Sequence, residues 1–128
     1  MKKEIRLLVV DDHPVVLDGL KGMLTTEPDL NLVGEAANGV DAIRLADEMK
    51  PDVILMDLRM PEMDGVTAIL QIKERSPEIQ VLVLTTFDAD ADIERAVTAG
   101  ATGYILKDAP RDEIFRAIRA TAEGKPYL

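Results

Sequence analysis

Residues 5–12 read Ile-Arg-Leu-Leu-Val-Val-Asp-Asp. A short aliphatic run shows little period-two alternation and then breaks on two carboxylates. Such a run fits a strand covered on both faces rather than a half-solvated one. Pro14 follows in the first turn of a helix, where its missing N–H costs nothing. Val16, Leu17, Leu20, Met23 and Leu24 then recur at i, i+3, i+4 and i+7 spacings, which gathers them on one helix face. A buried strand ending on Asp11 and Asp12 and handing over to a helix is the unit from which the rest can be read.

Working outward, residues 31–37 give a second, weaker strand. Asn38-Gly39 and a helix bearing Val40, Ile43 and Ala46 follow. Residues 52–56 (Asp-Val-Ile-Leu-Met) lead into Asp57 and a turn-rich loop of Arg59, Met60, Pro61, Glu62, Met63, Asp64 and Gly65. The next helix carries Val66, Ile69, Leu70 and Lys73 and stops at Ser76-Pro77. Residues 79–84 form a fourth strand ending at Thr85, and residues 89–99 a helix closed by Gly100, a good residue just past a helix end. A fifth strand spans 102–106. A last helix from about 110 to 122 turns Ile114, Ala117, Ile118 and Thr121 inward. Five strand–helix units in succession imply a parallel sheet with helices on both faces. A closed eightfold barrel needs roughly 250 residues, so this chain predicts an open doubly wound five-stranded α/β sheet in three layers. Residues 1–122 make one domain. From Glu123 (Glu-Gly-Lys-Pro-Tyr-Leu) the helical pattern stops, which reads as the start of a linker.

The 128 residues suffice for a core without staples. With 47% hydrophobic but only 3% aromatic residues, that core is aliphatic. Cysteine is absent, which removes disulfides and thiolate metal sites. No apolar run reaches the roughly 18 residues of a membrane span, and no signal peptide is visible, so the expected location is the cytoplasm. The net charge of −9 comes with scattered basic residues, whereas binding nucleic acid through phosphates needs them clustered. Direct DNA binding by this stretch is not expected.

In open α/β sheets, ligands bind beyond the carboxyl ends of the strands. Asp11 and Asp12 end strand one, Asp57 strand three, Thr85 strand four and Lys107 strand five, so the groups converge on one rim. Two unit charges about 4 Å apart repel by on the order of 4 kcal/mol at an effective dielectric near 20. Such a cluster calls for a cation, and Mg2+, with its oxygen ligands, suits it. Lys107 adds a point charge for a phosphoryl oxygen. Carboxylate, divalent cation, lysine and hydroxyl are the parts that phosphoryl transfer to an aspartate requires.

Asp11-Asp12, Asp57 with Met60-Pro61 and Gly65, Thr85, Tyr104 and Lys107 stand in the order and spacing of bacterial two-component response-regulator receiver domains, which the chain resembles over nearly its whole length. The resemblance implies the flavodoxin-like strand order 2-1-3-4-5. It makes Asp57 the phosphoacceptor, fed by a phosphohistidine on a sensor histidine kinase. Asp12, Asp57 and the backbone carbonyl of Arg59 are then direct Mg2+ ligands, with Asp11 acting through a water. Lys107 contacts the phosphoryl group, Thr85 swings toward it, and Tyr104 follows as a second switch residue. The segments Asp11-Asp12-His13-Pro14, Gly100 to Asp108 and Gly124 to Leu128 resemble the NarL/FixJ class. Its members carry a LuxR-type helix-turn-helix after the receiver and dimerise on phosphorylation. The implied output is transcription, with DNA contacted only through a C-terminal domain absent from this sequence.

Arg59 and Thr86 depart from the simplest family pattern and bear on the phosphorylated lifetime. Asp88, Asp90 and Asp92 mimic the opening of a calcium loop, but Ile93 and Ala99 occupy its glycine and glutamate positions. They are better read as first-turn acids of a helix. His13 reads as a helix-start residue beside the acidic rim, with no proton transfer required of it. Lys2-Lys3 is a solvated end. Two rival functions remain. A magnesium phosphatase working through an aspartyl-phosphate needs a second acid two residues after the nucleophile, where this chain has Arg59. A phosphate-independent interaction module on the same fold needs neither the full acidic set nor Lys107. A nucleotide-binding flavodoxin-type protein is more distant, since no glycine-rich loop follows strand one.

Overall fold

A computed structural model describes residues 4–60, 62–85 and 90–127. Pro61, Thr86, Asp88 and the Lys2-Lys3 pair, each named above, lie outside the described residues. Strands and helices alternate: β1 Ile5–Val10, α1 Pro14–Leu24, β2 Leu30–Ala36, α2 Gly39–Met49, β3 Val53–Asp57, α3 Gly65–Arg75, β4 Gln80–Thr85, α4 Asp90–Ala99, β5 Gly103–Leu106 and α5 Arg111–Ala122. All the paired strands are parallel, in the order β2-β1-β3-β4-β5. The expected fold class and strand order are both observed.

Successive strand residues serve opposite cores, which is why the runs are continuously apolar. Leu8, Val10, Ile54, Met56, Val81 and Val83 meet Ile69 and Ile72 of α3 and Ala96 of α4. Leu7, Val9, Leu55, Leu82 and Leu84 meet Leu20 and Leu24 of α1 and Ile114, Phe115 and Ile118 of α5. Each of the Val, Leu, Ile, Met and Phe side chains among them contributes roughly 1.5–3 kcal/mol by leaving water. Two apolar residues named in the helical patterns do not join these cores. Val40 and Leu70 stay 48% and 50% exposed, because the helical turn carries them past the buried stripe of α2 and α3. Among the described residues, no helix is long and apolar enough to cross a membrane.

Local chemistry fixes where the helices begin. Asn38 caps α2 by accepting from the Asp41 N–H at 2.8 Å, and Asp64 caps α3 by accepting from the Thr67 N–H at 2.9 Å. Each satisfies one orphan donor of a first turn. The β3–α3 loop closes tightly: the Gly65 N–H donates to Leu58 O at 2.9 Å. A Cβ at Gly65 would stand 2.3 Å from Asp57 O. Only glycine lets α3 begin so close behind the end of β3. Beyond α5 the chain turns back, and Tyr127 forms a parallel bridge with Gly103 on the open edge of β5. The Tyr104 N–H donates to Tyr127 O there at 2.8 Å, so part of this sheet edge is paired.

Candidate phosphoacceptor and metal site

Two backbone bonds carry the parallel ladder one step past the strands and aim the site's side chains. The Asp11 N–H donates to Ala36 O at 3.0 Å, and the Lys107 N–H to Thr85 O at 2.9 Å. Asp57 is the last residue of β3 and Thr85 the last of β4, both nearly fully buried. Lys107 Nζ then lies 3.1 Å from Asp11 Oδ2 and 3.2 Å from Asp57 Oδ1. The convergence expected of four separate strand ends is realised, and a cavity of about 120 Å³ opens over Asp57, walled by His13, Leu58, Arg59, Thr85, Asp92 and Lys107.

One ammonium does not compensate three carboxylates. Asp11, Asp12, Asp57 and His13 each present a ligand atom, all within 4.8 Å of one another. At that separation a carboxylate pair repels by about 3.5 kcal/mol at an effective dielectric near 20. Asp57 Oδ2 is buried with no hydrogen-bond donor, and Asp11 Oδ2 and Asp12 Oδ1 share that state. For the latter two a cation is near by distance alone: Lys107 Nζ beside Asp11, and His13 Nδ1 at 3.2 Å from Asp12. Neither contact has hydrogen-bond direction, so these oxygens are attracted without being satisfied. Unsatisfied buried oxygens on several carboxylates are a donor set for a hard divalent cation. The residues present fit Mg2+.

Burial, then the charge of Asp11, pushes the Asp57 carboxyl above its ordinary value against the opposing pull of Lys107 and the Arg59 amide. Burial pulls the Lys107 ammonium down, but its close contact with Asp11 and the charges of Asp57 and Asp11 together lift it above its ordinary value. It stays charged at neutral pH.

His13 is closer to the acids than a helix-start reading requires. Its backbone N–H and its Nδ1 both reach Asp11 Oδ1 at 2.9 Å. Its pKa is raised, first by that bond and then by the Asp12 and Asp11 charges. Arg59 borders the cavity as expected, with its guanidinium held by Asp92 at 3.1 Å. Asp92, read from sequence only as a first-turn acid of α4, is the site residue that sequence reasoning missed. Tyr104 is not among the residues walling the cavity. It packs, half-buried, against the core on the α4 side.

A doubly wound sheet with an acid cluster and a lysine at its carboxyl rim defines a phosphoryl-handling or metal-binding class. Residues 7–119 match the family described as response regulator receiver domain, and the chain belongs to that family. It is similar to the response regulator protein VraR of Staphylococcus aureus, 48% identical over 121 residues, which are 94% of this chain and 58% of VraR. The chain thus spans little more than half the length of this relative. It is also similar to the signal receiver domain of the putative response regulator NarL from Mycobacterium tuberculosis, with 36% identity, a TM-score of 0.90, and 96% of this chain and 99% of that one covered. A third is the isolated receiver domain of RcsB from Salmonella enterica serovar Typhimurium, solved with the phosphomimetic BeF3−. There identity is 28%, the TM-score 0.87, and coverage 98% of this chain and 93% of that one. The chain is therefore a NarL-type two-component receiver domain, a signalling module rather than a turnover enzyme.

Proposed function

We propose that Asp57 accepts a phosphoryl group from a phosphohistidine on a sensor histidine kinase, and that the modified domain drives a transcriptional output. The observation that carries this reading is Asp57 Oδ2, buried, without a donor and raised in pKa, beneath a cavity walled by Lys107 and Thr85. In this reading Asp12, Asp57 and the Arg59 carbonyl would hold Mg2+, and Asp11 would act on it through a water. When bound, the ion neutralises charge on the transferring phosphoryl oxygens. Asp57 attacks in line. Lys107, already poised 3.2 Å from the acceptor carboxylate, takes a phosphoryl oxygen, and the Thr85 hydroxyl takes another.

The phosphoryl group adds about −1.5 to −2 charges at a strand end where Thr85 is buried. Contacts made only in that state bias a two-state element, with Thr85 and Tyr104 as its moving parts. Tyr104 sits three residues before Lys107 on the strand next to Thr85, so a change at Thr85 reaches it through one packed layer. Homodimerisation follows, with DNA contacted through a C-terminal helix-turn-helix domain joined by a linker that begins near Glu123. A cytoplasmic location goes with a kinase donor. The solution of an RcsB receiver with a phosphomimetic supports an acceptor role for a chain of this shape.

Acetyl phosphate with Mg2+ should add one phosphoryl mass to the protein, mapped to Asp57, and Asp57→Asn should add none. Equal labelling of the variant overturns the assignment. An unlabelled wild type that binds no Mg2+ at millimolar concentration favours a phosphate-independent module.

A further inference from the structure

Arg59 and Asp92 face each other across the mouth of the acidic cavity. Arg59 lies two residues past Asp57, and Asp92 lies in the first turn of α4. Arg59 Nε donates to Asp92 Oδ2 at 3.1 Å, while Arg95 of the same helix takes the other oxygen. The Asp92 side chain is 18% exposed against 65% for Arg59. The carboxylate is therefore the more buried partner and the guanidinium the one that faces solvent and the cavity mouth. Both residues wall the same cavity as Asp57, Thr85 and Lys107. A phosphoryl group on Asp57 offers Arg59 a second anion with oxygens matched to its fork.

We propose that Asp92 is a positioning residue: it holds the Arg59 guanidinium off the phosphoryl group and thereby sets how long Asp57 stays phosphorylated. The inference rests on Asp57 being the acceptor. In the hydrolysis at issue, a water oxygen bonds to phosphorus as the bond from phosphorus to the Asp57 oxygen breaks. The electron pair of that bond returns to the carboxylate. Both water protons leave on dihydrogen phosphate, so no other reactant is required. The water arrives from the cavity side, opposite the breaking bond. A guanidinium parked on Asp92 leaves that side open, and one released onto the phosphoryl oxygens covers it. The same pair ties the first turn of α4 to the state of the acceptor.

The test follows the decay of phosphorylated full-length chain by intact mass after the donor is removed, in Mg2+. Asp92→Asn should lengthen the half-life roughly five-fold, the scale of one charge-assisted hydrogen bond transferred to the phosphoryl group. Asp92→Glu should restore it. In an Arg59→Gln background, Asp92→Asn should change it by less than about two-fold, because the positioned group is gone. If Asp92→Asn melts early, Asp92→Ser, equally at home at a helix start, takes its place. An unchanged or shortened half-life in Asp92→Asn, or a lengthening that persists without Arg59, overturns the proposal. A wild type that takes no label at Asp57 overturns the acceptor reading and this inference with it. A labelled wild type with an indifferent Asp92→Asn overturns this inference alone.

Discussion

The two rims of the sheet each gather carboxylates around one side-chain cation, and they treat it in opposite ways. Where the strands begin, Arg119 of α5 donates from Nε to Asp29 Oδ2 at 3.0 Å and from Nη2 to Asp29 Oδ1 at 2.8 Å. It also reaches Glu27 Oε1 at 2.7 Å. Both Asp29 oxygens are bonded, and the guanidinium is pushed above its already high ordinary value by those hydrogen bonds. Where the strands end, Lys107 divides one point charge between Asp11 and Asp57, and oxygens on all three acids stay unsatisfied. A rigid fork that never deprotonates makes a permanent tie. A shared ammonium, a titratable imidazole and space for a divalent ion make a rim whose counter-charge can be exchanged. The first arrangement holds the fold together, and the second stores repulsion that a ligand can relieve.

Removing the tie is the severest way to test that contrast. Arg119→Met should lower stability by roughly 2 kcal/mol, because it leaves the buried Asp29 carboxylate without its fork. The figure is held below that of a fully buried pair because the Arg119 side chain is 37% exposed. Denaturant unfolding should show the midpoint falling at constant slope, and adding Asp29→Asn should recover part of the loss. A cost below about 0.5 kcal/mol would remove the distinction between the rims.

The opposite sign is expected at the other rim. Asp57 has a folded pKa above its unfolded value of 3.8. Its contribution to stability is therefore fully present below that unfolded value and lost as pH rises through the folded one. In the metal-free domain the ionised form of Asp57 is the disfavoured one. Asp57→Asn should raise its stability by on the order of 1 kcal/mol at pH 7. The gain should shrink toward zero below pH 3.8. Millimolar Mg2+ should stabilise the wild type and leave the variant nearly unaffected. A variant less stable than wild type at pH 7 would mean that Asp57 is already compensated.

The difference between the rims also explains what could be read from sequence. The sheet was legible because period and run length are local, and the carboxyl rim because Asp11, Asp57, Thr85 and Lys107 each end a strand, so topology alone brings them together. Val40 and Leu70 match the helical spacing too and still face water. A spacing rule marks a stripe of α2 or α3 and not its edges. The tie between Arg119 and Asp29 spans 90 residues, and that between Arg59 and Asp92 spans 33. Nothing periodic marks either one. Each depends on rotamers and on a helix's rotation about its axis, which become defined only after the cores have packed. Asp92 therefore looked like any acid in a helix's first turn.

His13 offers the finest test of exchangeable counter-charge. Its Nδ1 stands 2.9 Å from Asp11 and 3.2 Å from Asp12, and imidazolium formation is favoured there by the Asp11 hydrogen bond first and the Asp12 charge second. The folded pKa is raised, so the stabilisation is fully present below 6.5 and lost as pH rises through the folded value. The ring is solvent-exposed, so the readout is its titration midpoint, followed by NMR, and not the melting point. In the metal-free domain that midpoint should lie above 6.5. Millimolar Mg2+ should move it down, because a divalent ion on Asp12 and Asp57 removes the negative potential that favours the proton. No such drop should occur for a residue that merely starts a helix. A midpoint indifferent to Mg2+ would place His13 outside the rim's exchangeable charge and leave Lys107 as the sole cation that the metal must share the acids with.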